Sequence, residues 1–142
     1  VTGDGELDEG SNWEGLMTIR HYNLTNCITI VDRNHCMIDG NTEDVMKLEP
    51  LADKFVAFGF HTIVCEGNNI VSLCKAIDEA HKTKDKPTVI VADTIKGVGI
   101  KLTSGNYKWH YGAIDEEMAK VAAKDLDEYS AERIARCGKE FE

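Results

Sequence analysis

Short apolar runs alternate with amphipathic segments along this chain. Continuous apolar runs occur at residues 27–31, 61–65 and 88–92, the last running on to about residue 95, and the chain starts on what looks like a strand end at Val1 and Thr2. Unbroken runs of this kind are typical of parallel strands that are buried on both faces. The pattern therefore predicts an α/β fold, a parallel sheet with helices on both faces.

The segments between the apolar runs have helical periodicity. Residues 9–22 form one predicted helix, and residues 51–58 form another that ends at Gly59. Asn68 or Asn69 is placed to cap a third helix. Its predicted buried face contains apolar residues at helical spacing, namely Ile70, Leu73, Cys74, Ile77 and Ala80.

The last part of the chain is different. Residues 97–112 form a glycine-rich loop without periodicity, and a charged helical tail, one helix or two, begins at about residue 113, with Asp115, Glu116 and Glu117 in its first turn. No linker or repeat divides the chain. We therefore assign residues 1–142 to part of one domain.

Composition narrows the possible partners. The net charge is −9, and both nucleic acid and anionic membrane favour basic surfaces, so we expect neither as a partner. The apolar runs are also too short to span a bilayer. The odd number of five cysteines, without a Cys-x-x-Cys pair, indicates reduced and buried thiols in a cytoplasmic protein.

Polar residues follow the predicted strands where ligands bind in parallel sheets. Asp4 follows the first strand and Asn34 follows the second. A helix of about 14 residues rises roughly 21 Å, and a returning strand of about 7 residues covers roughly 23 Å, so both side chains reach one edge of the sheet. Neighbouring strands would then lie about 4.8 Å apart.

An aspartate and an asparagine at that distance can share a hard cation. Their oxygen atoms suit Mg²⁺ or Ca²⁺, and Mg²⁺ commonly binds substrate phosphates as well. Gly3 and Gly5 would let a phosphate approach the backbone. Each feature also has a plainer interpretation. Gly-Asp-Gly and Asn34 are ordinary turn formers, Glu9 belongs to a solvated acidic loop, and His110 packs in its loop.

Longer stretches of the sequence resemble a known family. The stretches "GDGELDEGSNWEGLM", "IVDRNHCMIDGNTEDVMKLEPLADKFVAFGFHT", "KPTVIVADTIKGVGI" and "WHYGA" resemble the thiamine-diphosphate-binding region of transketolase. The likeness is to the N-terminal subunit of transketolases split into two chains. It covers the chain from Thr2 to about Gly112. It implies the diphosphate-binding domain of the thiamine-diphosphate fold, and a chain that is a C-terminal fragment of that domain.

The resemblance implies a cofactor and a set of ligands. Asp4 and Asn34 would bind Mg²⁺ through their side chains and Cys36 through its backbone carbonyl, with Ca²⁺ as a substitute. Gly5 and Asn34 would touch the diphosphate of thiamine diphosphate. Ile38 would lie near its thiazolium ring.

The resemblance also implies two residues close to catalysis. His110 matches a histidine that contacts the cofactor and the sugar, although Tyr111 stands where many relatives have glycine directly after that histidine. Glu9 matches a glutamate at the subunit interface that couples paired active sites.

The implied activity is transfer of a two-carbon ketol unit from a ketose phosphate to an aldose phosphate. The partner would be a C-terminal subunit with the pyrimidine-binding domain, in a heterotetramer. The alternatives are another thiamine diphosphate enzyme, either a deoxyxylulose-phosphate synthase or a ketoacid dehydrogenase component, and a non-catalytic scaffold subunit.

Overall fold

A parallel sheet forms the centre of the molecule. The computed structural model describes residues 1–137, which contain a 4-stranded sheet. Its strands are β1 Thr2–Gly3, β2 Ile28–Arg33, β3 His61–Glu66 and β4 Thr88–Asp93, in the order β1-β2-β4-β3. All pairings are parallel, so the α/β prediction is confirmed.

Helices connect the strands and close the chain. The α-helices are α1 Gly10–His21, α2 Thr42–Val45, α3 Leu51–Ala57, α4 Ile70–Lys82 and α5 Glu116–Cys137. Two 3₁₀ helices span Gly5–Asp8 and Tyr107–His110. The second lies within the loop for which the sequence predicted no element, because a single turn is too short to produce a periodic pattern. The charged tail is one helix through Cys137.

Helices cover both faces of the sheet because alternate residues of β4 point in opposite directions. Val89 and Val91 belong to a core with Phe55 and Leu51 of α3. Ile90, between the two valines, packs with α4 on the other face. The layered arrangement that the continuous apolar strands predict is therefore present.

The predicted buried face of α4 was partly wrong. Ile70 is 75% exposed, since it is the first residue of the helix and lies beyond the sheet, and Cys74 is also exposed. Ala80 is buried as predicted, Leu73 and Ile77 are half-buried, and the buried residue that the prediction omitted is Ala76. The helix approaches the sheet along these two small residues, Ala76 and Ala80.

Two other predictions also need correction. The fourth strand ends at Asp93 and not near residue 95, because residues 94 and 95 are irregular and lead into a turn that begins at residue 96. The cysteines are not uniformly buried: Cys36 is buried, Cys27 and Cys65 are half-buried, and Cys74 is exposed. Within residues 1–137, no helix is both long enough and apolar enough to cross a membrane.

Candidate functional site

A pocket of about 380 Å³ opens at the carboxyl edge of the sheet, beside β1 and β2. It brings together every residue to which the sequence analysis gave a role: Asp4, Gly5, Glu9, Asn34, Cys36, Ile38 and His110. They come from the turn after β1, the loop after β2 and the long loop after β4. The fold brings these residues to one pocket, and the role of each residue stays a prediction.

The register of the first two strands places Asp4 beside the end of β2. Gly3 pairs with Asp32, and the amide of Asp4 donates to the carbonyl of Asp32 at 3.0 Å. The first two strands are therefore neighbours in the sheet, as a cation shared by Asp4 and Asn34 would require. The side chain of Asp4 consequently points into the space next to the loop that begins at Asn34.

The two carboxylate oxygens of Asp4 have different surroundings. Oδ2 accepts from Arg33 Nη1 at 2.9 Å and from the amide of His35 at 2.7 Å. Oδ1 accepts one bond within the described residues, from the amide of Gly5 at 2.8 Å. A carboxylate has about four lone-pair positions, so the capacity left for a cation lies mainly on Oδ1.

The loop after β2 folds back tightly on itself. The amide of Met37 donates to the carbonyl of Gly40 at 2.8 Å, and Cys36 forms an antiparallel bridge with Asn41. Residue His35 has a φ of 63° in the left-handed region, which turns the chain sharply. These residues therefore form a compact loop that lines the pocket.

Asn34 is held in place at the start of this loop. Its Oδ1 accepts from the amide of Cys36 at 3.1 Å, and its Nδ2 donates to Asp32 Oδ2 at 3.3 Å. These two bonds fix which end of the amide is the oxygen. The second lone pair of Oδ1 remains available for a cation.

Glycine allows a close approach at the mouth of the pocket. A Cβ at Gly5 would lie 2.8 Å from Met37 Cβ, whereas a Cβ at Gly3 would meet nothing within 4 Å. The first 3₁₀ helix therefore packs directly against the loop after β2. Gly3 faces open space, so it leaves room for a ligand next to the backbone.

The second 3₁₀ helix brings His110 to the pocket. Asn106 Oδ1 accepts from the amide of Lys108 at 3.1 Å and so begins this helix. A Cβ at Gly112 would lie 3.3 Å from the ring of Trp109, which keeps the chain close after the histidine. His110 itself is exposed toward the pocket.

The loop after β3 does not reach the pocket. The strand order places β3 at the far edge of the sheet, with β4 between it and β2. Asn69 Oδ1 caps α4 by accepting from the amides of Val71 and Ser72, and Asn68 Oδ1 accepts from the amide of Ile95 at 2.7 Å. The polar residues after this strand are structural, and of the two candidates Asn69 is the cap.

Arg33 is the residue of this region that the sequence analysis missed. Its side chain is 3% exposed and contacts Asp4, Thr42, Glu43 and Glu49. Burial lowers the pKa of the guanidinium. The hydrogen bonds to Asp4 and Glu49 and the charges of these carboxylates together outweigh burial, so the net shift of the pKa is upward. Alternation along β2 could have indicated it, since Arg33 lies two residues after the buried Val31 and on the same face.

The donor atoms at the pocket suit a hard cation. Asp4 brings a carboxylate and Asn34 a side-chain amide, and such oxygens are the ligands that Mg²⁺ and Ca²⁺ prefer. Residues 1–137 contain no cluster of three or more His, Cys, Asp or Glu side chains that could hold a metal. Carboxylate and amide oxygens suit Mg²⁺ better than they suit a transition metal.

Comparison with known proteins identifies the family. Residues 1–131 match the family described as "Transketolase, thiamine diphosphate binding domain". The chain belongs to this family. The transketolase resemblance expected from the sequence is thereby confirmed.

Curated members of the transketolase family include proteins named as transketolase subunits. The chain is 39% identical over 126 residues to a subunit of apulose-4-phosphate transketolase from Actinobacillus succinogenes, covering 89% of this chain and 45% of that protein. It is 37% identical over 131 residues to 6-deoxy-6-sulfo-D-fructose transketolase subunit SqwG of a Clostridium species, covering 92% and 48%. The chain thus spans about half the length of these relatives.

Solved transketolases share the fold. The crystal structure of transketolase from Campylobacter jejuni superimposes with a TM-score of 0.80 at 30% identity, covering 88% of this chain and 20% of that one. Transketolase from Leishmania mexicana gives 0.65 at 31% identity, with 94% and 23% covered. The predicted diphosphate-binding fold of the transketolase family is confirmed.

Proposed function

We propose that this chain is the thiamine-diphosphate-binding part of the N-terminal subunit of a two-chain transketolase. In this proposal the enzyme transfers a two-carbon ketol unit from a ketose phosphate to an aldose phosphate. The observation that carries the proposal is the pocket in which Asp4, Asn34 and His110 meet at the carboxyl edge of the sheet. Membership of the transketolase family supports it.

Asp4, Asn34 and Cys36 would hold the metal ion. Asp4 offers Oδ1, Asn34 offers its remaining lone pair on Oδ1, and Cys36 offers its backbone carbonyl. Mg²⁺ favours such a mixed oxygen set completed by phosphate and water, and Ca²⁺ would substitute. The acidic chain would then bind an anionic diphosphate through the cation rather than through basic side chains.

The other pocket residues would orient the cofactor. Gly5 lies beside the metal ligand Asp4 and Asn34 lies across from it, so both would touch the diphosphate. Ile38, which is 57% exposed, would pack near the thiazolium ring. An apolar contact of this kind excludes water from the reacting end of the cofactor.

His110 and Glu9 would act closest to the substrate. His110 would donate a hydrogen bond to the cofactor and the sugar from the loop after β4. Glu9 precedes α1, makes no capping bond with its side chain, and lines the same pocket, so it is within reach of a partner chain. Its proposed role is to couple paired active sites.

When bound, thiamine diphosphate supplies the electron sink that allows the bond between the two sugar carbons to break. The pyrimidine end of the cofactor would require a C-terminal subunit, with two copies of each chain in a heterotetramer. The free cysteines favour the cytoplasm. Transfer from xylulose 5-phosphate would place the enzyme in pentose phosphate metabolism, and transfer from another ketose alone would place it in the catabolism of an unusual sugar.

The decisive experiment mixes the complete subunit with its pyrimidine-domain partner, thiamine diphosphate, Mg²⁺ and ribose 5-phosphate. The donor panel includes xylulose 5-phosphate, apulose 4-phosphate and 6-deoxy-6-sulfo-D-fructose, the last two from the names of the relatives. Ketol transfer that requires both chains and disappears in Asp4→Ala supports the proposal. The exposed Asp53 provides a control, since Asp53→Ala removes an acidic side chain that does not line the pocket.

Other results would contradict this function. Carbon dioxide release from a ketoacid would indicate a decarboxylating thiamine diphosphate enzyme. Partner binding that persists in Asp4→Ala, with no cofactor bound by either protein, would indicate a scaffold. Full activity of the N-terminal chain without its partner would exclude the shared active site.

A further inference from the structure

The buried guanidinium of Arg33 contacts the carboxylate of Asp4, which is the proposed metal ligand. Arg33 is the last residue of β2, and its side chain is 3% exposed, as buried as the apolar residues of the core. Arginine is almost never this buried unless its charge is paired. The hydrogen-bond acceptors around Arg33 therefore indicate the role of its side chain.

The acceptors of Arg33 come from three separate segments. Nη1 donates to Asp4 Oδ2 at 2.9 Å and to Thr42 Oγ1 at 2.6 Å. Nη2 donates to Glu43 Oε1 at 2.8 Å and to Glu49 Oε1 at 2.9 Å. One guanidinium thus joins the turn after β1, the start of α2 and the segment that precedes α3.

These contacts enclose the loop that lines the pocket. Arg33 immediately precedes Asn34, and Thr42 immediately follows Asn41, so the Arg33–Thr42 bond closes the loop from end to end. The amide of Thr42 adds a second closure by donating to the carbonyl of His35 at 3.0 Å. The loop carries Asn34, which is one of the proposed metal ligands.

The partners of Arg33 differ in exposure. The side chain of Asp4 is 1% exposed, whereas those of Glu43 and Glu49 are 37% and 54% exposed. An exposed ion pair contributes little, whereas a buried carboxylate requires its partner. The contact with Asp4 is therefore the one that depends most on Arg33.

We propose that Arg33 is a positioning residue of the metal site: it occupies Oδ2 of Asp4 and closes the loop after β2, so that Asp4 presents Oδ1 to the cation opposite Asn34. This inference rests on the proposed function, since it concerns the same metal. A flexible lysine could not replace this arrangement, because its ammonium lacks the planar fork that reaches several acceptors at once.

The test measures metal affinity rather than turnover. The probe is Mn²⁺, followed by its electron paramagnetic resonance in the complete subunit with its partner and saturating thiamine diphosphate. Loss of a residue that orients a metal ligand commonly weakens metal binding about 10- to 100-fold, and we expect Arg33→Lys to fall in this range. The spectrum of any Mn²⁺ still bound should change as well.

Glu49→Gln is the matched control. It removes one charge from the same cluster but keeps an oxygen that can accept from Arg33. We expect it to lower Tm, because the ionised Glu49 accepts from the amide of Leu51 and from Arg33. The Mn²⁺ affinity should stay within about twofold, because Arg33 keeps its contacts with Asp4 and Thr42. If Arg33 only stabilised the fold, Arg33→Lys and Glu49→Gln would both lower Tm and neither would change Mn²⁺ binding. That result would overturn the inference.

Thr42→Val keeps the experiment decisive if Arg33→Lys does not fold. It removes the side-chain hydrogen bond between Arg33 and Thr42 but keeps the one from the Thr42 amide to His35, and a factor of about three or more in Mn²⁺ affinity is the expected loss. Unchanged affinity in Thr42→Val would overturn the inference in that case. If the wild-type protein binds thiamine diphosphate without any dependence on metal, the proposed metal site and this inference both fail.

Discussion

Gly5 and Met37 lie so close together that residue 5 has no room for a side chain. A Cβ built on Gly5 would lie 2.8 Å from Met37 Cβ and 3.7 Å from Met37 Cα. Because the nearest atom is the first of the side chain, a change of Met37 rotamer cannot relieve the clash. The turn after β1 and the loop after β2 therefore depend on glycine here.

We expect Gly5→Ala to destabilise the protein by about 1–3 kcal/mol, the usual cost of overpacking, because one of the two backbone segments must shift. Gly15→Ala is the control, since a Cβ there meets nothing within 4 Å and the residue lies in the middle of α1. Alanine should stabilise α1 by roughly 0.5–1 kcal/mol. Urea unfolding measures both, and equal effects would contradict the close approach.

The left-handed backbone at His35 allows a second test. With a φ of 63°, this position favours glycine over any residue with a Cβ. The ring of His35 contacts Asp93 at 2.7 Å, but both side chains are at least half exposed, so the contact should add little. We expect His35→Gly to be more stable than His35→Ala by about 1 kcal/mol. The reverse order in thermal unfolding would exclude this conformation.

Much of this arrangement could be predicted from the sequence because it follows from chain connectivity. The apolar runs indicate the strands, and a right-handed crossover brings Asp4 and Asn34 to the same edge. His110 could be placed in the pocket only through the transketolase resemblance. No periodicity in residues 97–112 indicates where that loop turns.

The residues that were missed or misplaced share a physical cause. Arg33 follows an apolar run and is charged, so it would ordinarily belong to a solvated loop, and only its four acceptors explain its burial. Ala76 was missed because helix burial depends on how closely two elements approach. The burial of Arg33 and the burial of Ala76 both depend on contacts between segments that are far apart in sequence.

Acid should weaken the contribution of Glu49 to stability. The amide of Leu51 donates to Glu49 Oε2 at 2.8 Å and lowers the pKa of this carboxyl; burial opposes the shift, and Arg33 adds to it. A lowered pKa means that the ionised form stabilises the folded state. This contribution is complete above the ordinary glutamate pKa of about 4.3 and is lost as the pH falls through the lower, folded-state value.

Comparison with Glu49→Gln isolates that contribution from those of other carboxylates. We expect the difference in free energy of unfolding between wild type and Glu49→Gln to be largest near pH 6 and to shrink below about pH 4. Urea denaturation across this pH range measures it. A difference that does not change with pH would mean that Glu49 titrates alike in the folded and unfolded states.

Cys36 and Asn34 provide a test of which atoms hold the metal. Burial raises the pKa of the Cys36 thiol, an effect that the charge of Lys96 partly offsets and that of Asp4 reinforces, so the sulfur stays protonated near neutral pH. A protonated thiol is a poor ligand for Mg²⁺, which prefers oxygen. If Cys36 contributes only its backbone carbonyl, its side chain is dispensable for metal binding.

We therefore expect Cys36→Ala to keep the Mg²⁺ concentration for half-maximal thiamine diphosphate binding within about threefold of wild type, since it loses only packing and a weak thiol hydrogen bond to the carbonyl of Gly105. Asn34→Ala removes a side-chain oxygen and should raise that concentration by at least about tenfold. Calorimetric titration of the complete two-chain protein measures both. Equal losses in the two variants would mean that the sulfur, or the loop conformation it supports, takes part in binding. A loss in Asn34→Ala alone would show that the Cys36 side chain is dispensable, as binding through its backbone carbonyl requires.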